Sequence, residues 1–223
     1  MSRLDEIIKL VDENKIVADI GSDHGITAIK IYEIKNPKKV IATDISKNSL
    51  KKLNDKLKVL NYPIKTIITD GIKDIPDKLE QIIISGMGGI LISNIIEKGI
   101  QKAKEAEKLI LQANNSLNFL RKFLHKNEFR ITNEIMVEDE DIIYTIIECK
   151  KGKDIEYTDI DYEYGKINID RKDENLRKLL KRELNHLDLI DEKINQINTE
   201  SSNQRMEEIN FKRKFLENLL CRL

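Results

Sequence analysis

The sequence contains few of the residues that mark several protein classes. Its 223 residues include no tryptophan, two cysteines, three prolines and nine glycines. So little glycine and proline excludes a collagen-like chain and disagrees with a low-complexity disordered one. Cys149 and Cys221 have neither a metal-ligand spacing nor the pattern of a disulfide framework, which favours a reducing cytoplasm. The three histidines lie far apart along the chain, so we expect no metal site.

The sequence also lacks an excess of charge of either sign and a long apolar run. Lysine and arginine total 39, and aspartate and glutamate also total 39. Affinity for a polyanion would therefore have to come from the local arrangement of charge. No apolar stretch approaches the ~20 residues that span a bilayer, and residues 1–6 are too polar for a secretory signal. We expect a cytoplasmic protein with no membrane partner.

Short β-rich apolar runs alternate with amphipathic stretches between residues 16 and 149, as in parallel strands joined by crossover helices. The five runs that predict parallel strands are 16–20, 40–43, 64–69, 81–85 and 109–112. Two further runs, 131–137 and 142–148, flank only four acidic residues and predict an antiparallel hairpin. The fold class is therefore α/β, with a Rossmann-like sheet of five parallel strands and an antiparallel C-terminal pair.

A helical pattern of another kind begins near residue 171. Apolar residues recur at steps of three, four and seven from Leu176 to Ile197, interrupted at Glu183, as in the seam of a coiled coil. After a polar break at 199–202 the stripe continues with Met206, Ile209, Leu216, Leu220 and Leu223. The break predicts an antiparallel coiled-coil hairpin. Such a seam can close within one chain or between two, and we expect a monomer.

Three parts are expected along the chain. An α/β domain occupies 1–152, a connector packed on it occupies 153–170, and the helical hairpin occupies 171–223. The connector is rich in acidic residues and tyrosine.

The turn after the first predicted strand reads D-I-G-S-D-H-G over residues 19–25 and precedes a helical stretch over 26–35. A tight turn between a strand and a helix brings backbone amides close to a bound cofactor. The spacing is not G-x-G-x-x-G, and Asp23 stands where a dinucleotide-binding turn requires its second glycine. A carboxylate there would repel a pyrophosphate, so the turn favours a cationic ligand without phosphates.

Acidic residues also end the second and third predicted strands. Asp44 can accept hydrogen bonds from both ribose hydroxyls of a nucleoside, although an Asp here is also commonly the N-cap of the next helix. Asp70, which precedes Gly71, can face an adenine amino group. The run S-G-M-G-G over 85–89 ends the fourth strand. All four turns would lie at the carboxyl edge of one sheet, where open α/β folds bind ligands.

Four runs resemble in order and spacing the TrmK family of bacterial tRNA methyltransferases: D-I-G-S-D-H over 19–24, T-D-G over 69–71, S-G-M-G-G over 85–89 and L-I-L-Q over 109–112. The resemblance extends over nearly the whole chain, including the helical hairpin. It implies a class I methyltransferase that uses S-adenosylmethionine as its cofactor and makes 1-methyladenosine at position 22 of tRNA.

Three positions depart from the family pattern. Residues 25–28 read G-I-T-A where the family has A-Y-L-P, and Ala113 replaces a proline. Both changes concern the pocket for the target base. Asp44 replaces a glutamate, which preserves a carboxylate for the ribose.

The turns and the resemblance together predict the site residues. Those expected to bind the cofactor are Asp19, Gly21, Ser22, His24, Asp44, Ile45, Asp70, Gly71, Gly86 and Met87. Met87 can equally be plain core packing. Asp23 is the expected catalytic residue, since a carboxylate that accepts a hydrogen bond from the adenine amine would hold the base and stabilise the positive charge on its ring. Gly88, Gly89 and Asn114 are expected at the target base.

A base within tRNA is stacked, so the enzyme must extrude it and offset the cost with contacts to the RNA backbone. The basic residues expected to contact tRNA are Arg171, Lys172, Arg177, Lys178, Lys181 and Arg182. A second candidate patch comprises Arg121, Lys122, Lys126 and Arg130. Both sets are also typical of solvated helix faces.

Two other functions remain open from the sequence. An NAD(P)-linked oxidoreductase would use a related α/β fold, but Asp23 in the first turn argues against it. A non-catalytic adaptor would use the hairpin to bind RNA or a partner protein, but the acidic residues after the second and third strands argue against a decayed cofactor site.

Overall fold

The computed structural model describes residues 2–194 and 200–223 of the chain. The chain divides into two compact units, Met1–Gly165 and Lys166–Leu223. The elements of the first unit are α1 (Arg3–Leu10), β1 (Ile16–Ile20), α2 (Ile26–Lys35), β2 (Lys39–Asp44), α3 (Lys47–Leu60), β3 (Lys65–Ile68), β4 (Gln81–Met87), α4 (Gly89–Lys98), α5 (Ile100–Glu105), β5 (Lys108–Ala113), α6 (Leu117–Lys126), β6 (Phe129–Asp139), β7 (Ile142–Lys151) and α7 (Asp159–Tyr164). The second unit contains α8 (Lys166–Asp170), α9 (Glu174–Ile194) and α10 (Glu200–Arg222).

The first unit is built on a seven-stranded sheet with the order β3-β2-β1-β4-β5-β7-β6. Strands β1 to β5 run parallel, and β7 pairs antiparallel with both β5 and β6. The prediction of five parallel strands with an antiparallel C-terminal pair is therefore confirmed. Ile82, Ile83 and Ile84 of β4 are fully buried, as expected where crossover helices cover both faces of a parallel sheet.

The strand order reverses at β1, whose two neighbours are β2 and β4. A chain that leaves the sheet to opposite sides at such a point opens a crevice at the carboxyl ends of the strands. The turns that carry the predicted site residues follow β1, β2, β3 and β4, so they share this edge of the sheet.

Strands β3 and β4 differ in length from the prediction. The sheet register shifts between Ser85 and Met87, because Gly86 adopts a φ of +78° that forms a bulge. Strand β4 therefore continues to Met87, and the prediction of a turn beginning at Ser85 is wrong. Strand β3 ends at Ile68, one residue before the predicted end at Thr69.

Helix α1 was not predicted, although its start has a recognisable signal. Ser2 Oγ accepts a hydrogen bond from Asp5 N at 3.2 Å, and Asp5 Oδ2 accepts one from Ser2 N at 3.2 Å. This reciprocal pair is a capping box, which favours helix initiation. Ile7 and Ile8 are buried in the core cluster of the first unit, and they anchor α1 on the α/β body.

The segment that follows β7 is partly helical and packs on α6. Arg121 of α6 is only 1% exposed, and its Nε donates to Glu134 Oε1 at 2.8 Å. Its Nη1 donates to the carbonyl oxygens of Tyr162 and Glu163 at 2.8 and 3.0 Å. The expectation that Arg121 belongs to an RNA-binding patch is therefore wrong, because its guanidinium is buried and bonds to Glu134 and to two backbone carbonyls within the first unit.

In the second unit, α9 and α10 bury apolar side chains and exchange ion pairs. The buried apolar residues are Leu176, Leu180 and Leu187 of α9, Ile209, Leu216 and Leu219 of α10, and Leu223 directly after α10. Arg213 of α10 bonds to Asp188 and Asp191 of α9, each at 3.0 Å. Both helices were predicted, whereas a coiled-coil geometry remains a prediction.

Two details of the predicted hairpin differ from the structure: which leucine near its end is buried, and where the break between the helices lies. Leu219 is 2% exposed, whereas the predicted seam residue Leu220 is only half-buried. Steps of three and four from Leu216 to Leu223 fit either residue, so the pattern alone did not distinguish them. Residues 200–202 were predicted to belong to the break, but they lie in α10, so this part of the prediction is wrong. Residue 199 of the break and the seam residue Ile197 lie outside the described residues.

Candidate active site

The turn after β1 is tightly wound. Gly21 and Gly25 both have a φ of +71°, and Asp23 has a φ of +47°, a region that L side chains rarely adopt. Gly25 N donates to Ser22 O at 2.8 Å and closes the turn. A Cβ added at Gly21 would displace Cε of Met87, and the φ of +71° favours glycine at this position.

Asp19, the fourth residue of β1, lies buried behind this turn with 2% exposure. Its Oδ2 accepts a hydrogen bond from Ser22 Oγ at 2.5 Å. Burial raises the pKa of Asp19 to about 6, while hydrogen bonds from Ser22 and from the backbone of Ala28 act in the opposite direction. At neutral pH the residue therefore supplies a largely ionised carboxylate with little solvation, which a cationic ligand would stabilise.

Asp23 links the first turn to the second. Its backbone N donates to Asp44 Oδ2 at 2.9 Å, and its Oδ1 accepts a hydrogen bond from Ser49 Oγ of α3 at 3.0 Å. Its Oδ2 lies 3.5 Å from Nε2 of His24, and both side chains are more than half exposed. The carboxylate is thus held in place while it stays accessible to a ligand.

Asp44 ends β2 and is not the N-cap of α3. Ser46 is the N-cap, since its Oγ accepts a hydrogen bond from Ser49 N at 3.2 Å. Asp44 instead accepts from Ser46 N through Oδ1, at 2.7 Å, and from Asp23 N through Oδ2. The capping alternative is therefore wrong for Asp44. Each of its oxygens retains a second lone pair for a ligand hydroxyl.

The turn after β3 is more open than the turn after β1. Asp70 is exposed, and its Oδ2 forms an ion pair with Nζ of Lys98 at 2.6 Å. Gly71 has a φ of +104°, and a Cβ there would lie 3.2 Å from Cγ2 of Ile95. Thr69 is 9% exposed, and its Oγ1 has no hydrogen-bond partner among the described residues. This edge of the site therefore offers an accessible carboxylate, while the Thr69 hydroxyl is buried behind it.

Gln112 fixes the bulge at the end of β4, a role that sequence reasoning missed. Its side chain is fully buried, and its Oε1 accepts a hydrogen bond from Gly86 N at 2.9 Å. Its Nε2 donates to Asn114 Oδ1 at 3.0 Å, and Asn114 Nδ2 donates to Gly86 O at 2.8 Å. The two amides therefore hold both backbone polar groups of Gly86.

The start of α4 packs closely on the loop after β5. Gly88 is its N-cap, and a Cβ there would lie 2.9 Å from Asn115 Oδ1. A Cβ at Gly89 would collide with the carbonyl oxygen of Ser116. Gly89 N donates to Asn115 O at 3.0 Å. Gly89 is therefore required by close backbone packing, whereas Gly88 packs against the side chain of Asn115.

Two adjoining cavities lie among these turns. The β2-side cavity has a volume of about 240 Å³ and is lined by Ile20, Gly21, Asp44, Ile45, Thr69, Asp70, Gly71, Met87, Leu91 and Ile95. The α1-side cavity has a volume of about 390 Å³ and is lined by Arg3, Leu4, Ile7, Gly21, Ser22, Asp23, His24, Ile26, Thr27, Ser85, Gly86 and Met87. Gly21 and Met87 line both cavities, so one elongated ligand can occupy the two with its middle at Gly21.

The predicted cofactor residues thus come together, and all of them except the buried Asp19 line one of the two cavities. Asp23, the predicted catalytic residue, lines the α1-side cavity. Gly88, Gly89 and Asn114 line neither cavity, although Asn114 supports the Gly86 bulge.

Sequence reasoning missed several lining residues. Leu91 and Ile95 lie one helical turn apart on α4 and add apolar surface to the β2-side cavity. Their spacing after the S-G-M-G-G run was an available signal. Arg3 lines the α1-side cavity from α1, and the capping box at Ser2 was the available signal for that helix.

The six basic residues predicted to contact tRNA belong to the second unit. Arg171, Lys172, Lys178, Lys181 and Arg182 are exposed. Arg177 is half-buried, with Nε 3.8 Å from Glu174 Oε1. In the second predicted patch, Lys122 pairs with Asp159 at 3.1 Å on the surface.

The described residues contain no group of three or more His, Cys, Asp or Glu side chains placed to hold a metal ion. Within the same described ranges, no helix is both long and apolar enough to cross a membrane.

Comparisons with known proteins agree with this geometry. A family model described as a methyltransferase domain matches residues 1–147. The tRNA (adenine(22)-N(1))-methyltransferase of Bacillus subtilis (strain 168) is 30% identical to this chain, over 98% of this chain and 95% of that protein.

Solved structures extend the likeness to the whole chain. The B. subtilis M1A22 tRNA methyltransferase TrmK has a TM-score of 0.77 at 25% identity, covering 99% of this chain and 98% of that one. M. capricolum TrmK in complex with S-adenosyl-homocysteine has a TM-score of 0.82 at 24% identity, covering 99% and 97%; at that identity the likeness supports the fold alone. Because this chain matches the B. subtilis enzyme along almost the full length of both proteins, it belongs to the tRNA (adenine(22)-N(1))-methyltransferase family.

Proposed function

We propose that this protein methylates N1 of adenosine 22 in tRNA with S-adenosylmethionine as the methyl donor. The observation that carries the proposal is the convergence of Asp19, Asp23 and Asp44 on one turn at the strand-order reversal. Asp23 N donates to Asp44, and Asp19 accepts from Ser22 in the same turn. Three carboxylates in this place suit a cationic nucleoside and disfavour a pyrophosphate.

The β2-side cavity fits the adenosine part of this cofactor. Asp44 offers acceptor lone pairs for ribose hydroxyls, while Asp70 offers an exposed carboxylate to a base edge. Leu91 and Ile95 supply the apolar surface that a base plane requires.

The α1-side cavity then receives the amino-acid part of the cofactor and the target base. S-adenosylmethionine, when bound, supplies a methyl group on a positively charged sulfur. N1 of neutral adenine has a lone pair and carries no proton, so the protein must align the base and need not deprotonate it. The protein groups therefore bind and orient, and no general base is required.

Asp23 is the residue that we assign to the target base. Its carboxylate is exposed to the α1-side cavity and is steadied by Ser49 Oγ. As an acceptor for the exocyclic amine it would orient the ring, and its negative charge would favour the positive charge that the ring gains. Asp23 touches the reacting base in this scheme and is therefore the catalytic residue.

We further propose that the exposed basic residues of the second unit contact the tRNA backbone. Binding through phosphates and shape suits a chain with few aromatic side chains, and it would offset the cost of extruding a stacked base. We also propose that the protein acts as a monomer in the cytoplasm. Light scattering at micromolar concentration tests the monomer, and a stable dimer would contradict it.

Mass spectrometry of tRNA nucleosides, after incubation with the protein and S-adenosylmethionine, tests the activity. The expected product is 1-methyladenosine, mapped to position 22 by primer extension. Calorimetry tests the cofactor, since S-adenosylhomocysteine should bind and NAD should not. A protein that binds NAD, or neither ligand, would contradict the proposal.

Replacing Asp23 tests the catalytic assignment. We expect Asp23→Asn to lower kcat about 100-fold, because the amide lacks the charge that stabilises the product ring. Asn tolerates the φ of +47° at this position, whereas Ala there adds strain. Glu140→Gln is the matched control, since it makes the same carboxylate-to-amide change at an exposed residue with a φ of +49° in the turn between β6 and β7. Turnover of Asp23→Asn close to that of the control would remove Asp23 from this role.

Charge reversal tests the RNA contacts. The double variant Lys181→Glu with Arg182→Glu should weaken tRNA binding about tenfold at low salt and leave cofactor binding unchanged, because the lost contacts are to phosphates. Lys214→Glu on α10 is the control, since Lys214 is exposed and is not among the predicted contacts. Equal tRNA affinity in the double variant and the control would contradict the assignment.

A further inference from the structure

Helix α3 carries an excess of positive charge that the proposed mechanism does not use. The helix contains five lysines and one aspartate, in a chain whose formal net charge is zero. All five lysines are exposed: Lys47, Lys51, Lys52, Lys56 and Lys58. In a neutral chain, a local excess of this kind is what affinity for a polyanion requires.

Most of these lysines lack the acidic partner that a lysine on another helix of the first unit has. Lys98 of α4, for example, pairs with Asp70 at 2.6 Å. On α3, Nζ of Lys58 lies 3.8 Å from Asp55 Oδ1. Among the described residues, no carboxylate oxygen lies within 4.0 Å of Nζ of the other four lysines. Their charge is therefore not compensated by a neighbouring side chain.

Three of the five lysines line a groove between α3 and β3, the strand at the edge of the sheet. This α3 groove has a volume of about 570 Å³, and its walls include Lys47, Lys51 and Lys58 of α3 and Thr66, Ile67 and Ile68 of β3. Residues four and seven apart share one face of a helix, and a rise of 1.5 Å per residue spreads these three lysines over about 16 Å. Lys52 and Lys56 do not line the groove.

The α3 groove begins beside the turn that carries Asp23. Ser49, in the first turn of α3, donates through Oγ to Asp23 Oδ1 at 3.0 Å. Lys47, the first residue of α3, precedes Ser49 by two positions and lines the groove. The row of lysines therefore leads away from the residue that we assign to the target base.

We propose that the α3 groove binds phosphates of the tRNA strand that flank the extruded adenosine. Extrusion removes the base from its stack, and phosphate contacts close to the catalytic turn offset that cost where it arises. Lysine suits this task, because its ammonium is a compact charge on a flexible stem and needs no fixed phosphate orientation. The inference rests on the proposed tRNA substrate and adds a contact surface in the first unit to the one proposed in the second.

Removing charge inside and outside the groove, on the same helix, tests the inference. The groove variant is Lys47→Gln with Lys51→Gln, and the matched control is Lys52→Gln with Lys56→Gln. The two variants have the same net charge, and all four lysines are exposed. We expect the groove variant to bind tRNA about tenfold more weakly at low salt, with a plot of log affinity against log salt that is less steep by about one to two. The control should stay within about twofold of the unmodified protein.

Kinetics and phosphate mapping locate the contact. In the groove variant the KM for tRNA should rise about tenfold while kcat and the affinity for S-adenosylhomocysteine stay unchanged, because such contacts act equally on bound substrate and transition state. Ethylation of the phosphates next to adenosine 22 should weaken binding to the unmodified protein and to the control. It should have little further effect on the groove variant, and thermal unfolding checks that both variants remain folded.

Three results would overturn the inference. Equal tRNA affinity in the groove variant and the unmodified protein would leave these lysines as charges that keep the edge strand β3 from pairing with another chain. Equal losses in the groove variant and the control would assign the effect to net charge. Ethylation effects that disappear only at phosphates distant from adenosine 22 would place the contact elsewhere on the tRNA. Failure of the proposed function is distinct, since the unmodified protein would then form no 1-methyladenosine, whereas failure of the inference leaves that activity intact in all three proteins.

Discussion

The ends of β1 and β3 both bring an aspartate and a glycine to the same edge of the sheet, yet the environments of Asp19 and Asp70 differ. Asp19 is 2% exposed and bonds to Ser22, whereas the side chain of Asp70 is 66% exposed and pairs with Lys98. The first turn is closed by its own backbone, and the third is open to solvent. Similar sequence patterns therefore yield a buried carboxylate at the end of β1 and an adaptable, screened contact in the turn after β3.

If this contrast is correct, the largest loss of cofactor affinity should come from adding a methyl group to the closed turn after β1. Gly21→Ala places a Cβ against Met87 at the junction of the two cavities. We expect cofactor affinity to fall about 100-fold, or about 3 kcal/mol, because the displaced thioether occupies the ligand's path. Gly152→Ala is the control, since its φ is also positive, the added Cβ would meet only Cβ of Arg130 at an ordinary 3.7 Å, and it lines neither cavity. Equal losses in the two variants would mean that backbone strain alone is responsible.

The next effect should appear as a pH dependence that belongs to the closed turn. The pKa of Asp19 is raised to about 6 by burial, so affinity for the cationic cofactor should increase as pH rises through about 6. Asp19→Asn should remove this dependence and lower affinity about tenfold at pH 8. Titration calorimetry between pH 5 and 8 measures both. An Asn variant that keeps the pH profile of the unmodified protein would refute the assignment to Asp19.

The free energy of unfolding of the ligand-free protein should depend on pH in the opposite direction to the cofactor affinity. The raised pKa means that the folded state binds the Asp19 proton more tightly than the unfolded state does. The free energy of unfolding should therefore fall as pH rises from about 4 to about 6 and then stay level, by up to about 3 kcal/mol from this group. Denaturant unfolding of Asp19→Asn at the same pH values should not show this fall. If the variant retained it, a group other than Asp19 would be responsible for the pH dependence.

The smallest effect should come from the open turn. Asp70→Asn removes one partner of an exposed ion pair, so the free energy of unfolding should change by less than about 1 kcal/mol. Cofactor affinity should fall only about threefold, because the amide still provides an acceptor and water screens the lost charge. Lys98→Met tests the ion pair separately. A loss for Asp70→Asn as large as that for Asp19→Asn would remove the distinction between the two turns.

The sheet was predictable because each strand is a short β-rich run that ends in a turn residue. The functional carboxylates were predictable for the same reason, since parallel strands bring their carboxyl ends to one edge. The partners of those carboxylates were not predictable. That Ser46 caps α3 while Asp44 bonds to Asp23 depends on the spatial proximity of two turns, which spacing along the chain does not report.

The environments of two arginines were the features that the sequence predicted least well. Arg121 lies among basic residues in a helical stretch, yet it is buried because Glu134 and two carbonyls of a distant segment satisfy it. Arg3 lies in a polar N-terminal segment, yet it lines a cavity. The charge of a side chain can be read from sequence, but its partners come from segments far away, and those partners decide its role.

Met87 has a practical consequence for observing the site. Its ε-methyl lies against Gly21, where the two cavities meet, and the chain has only four methionines. Isotope labelling of those methyl groups would give an NMR spectrum of few signals, one of them at the junction. The shift of that signal on titration would report occupancy of the site directly, without turnover and without RNA.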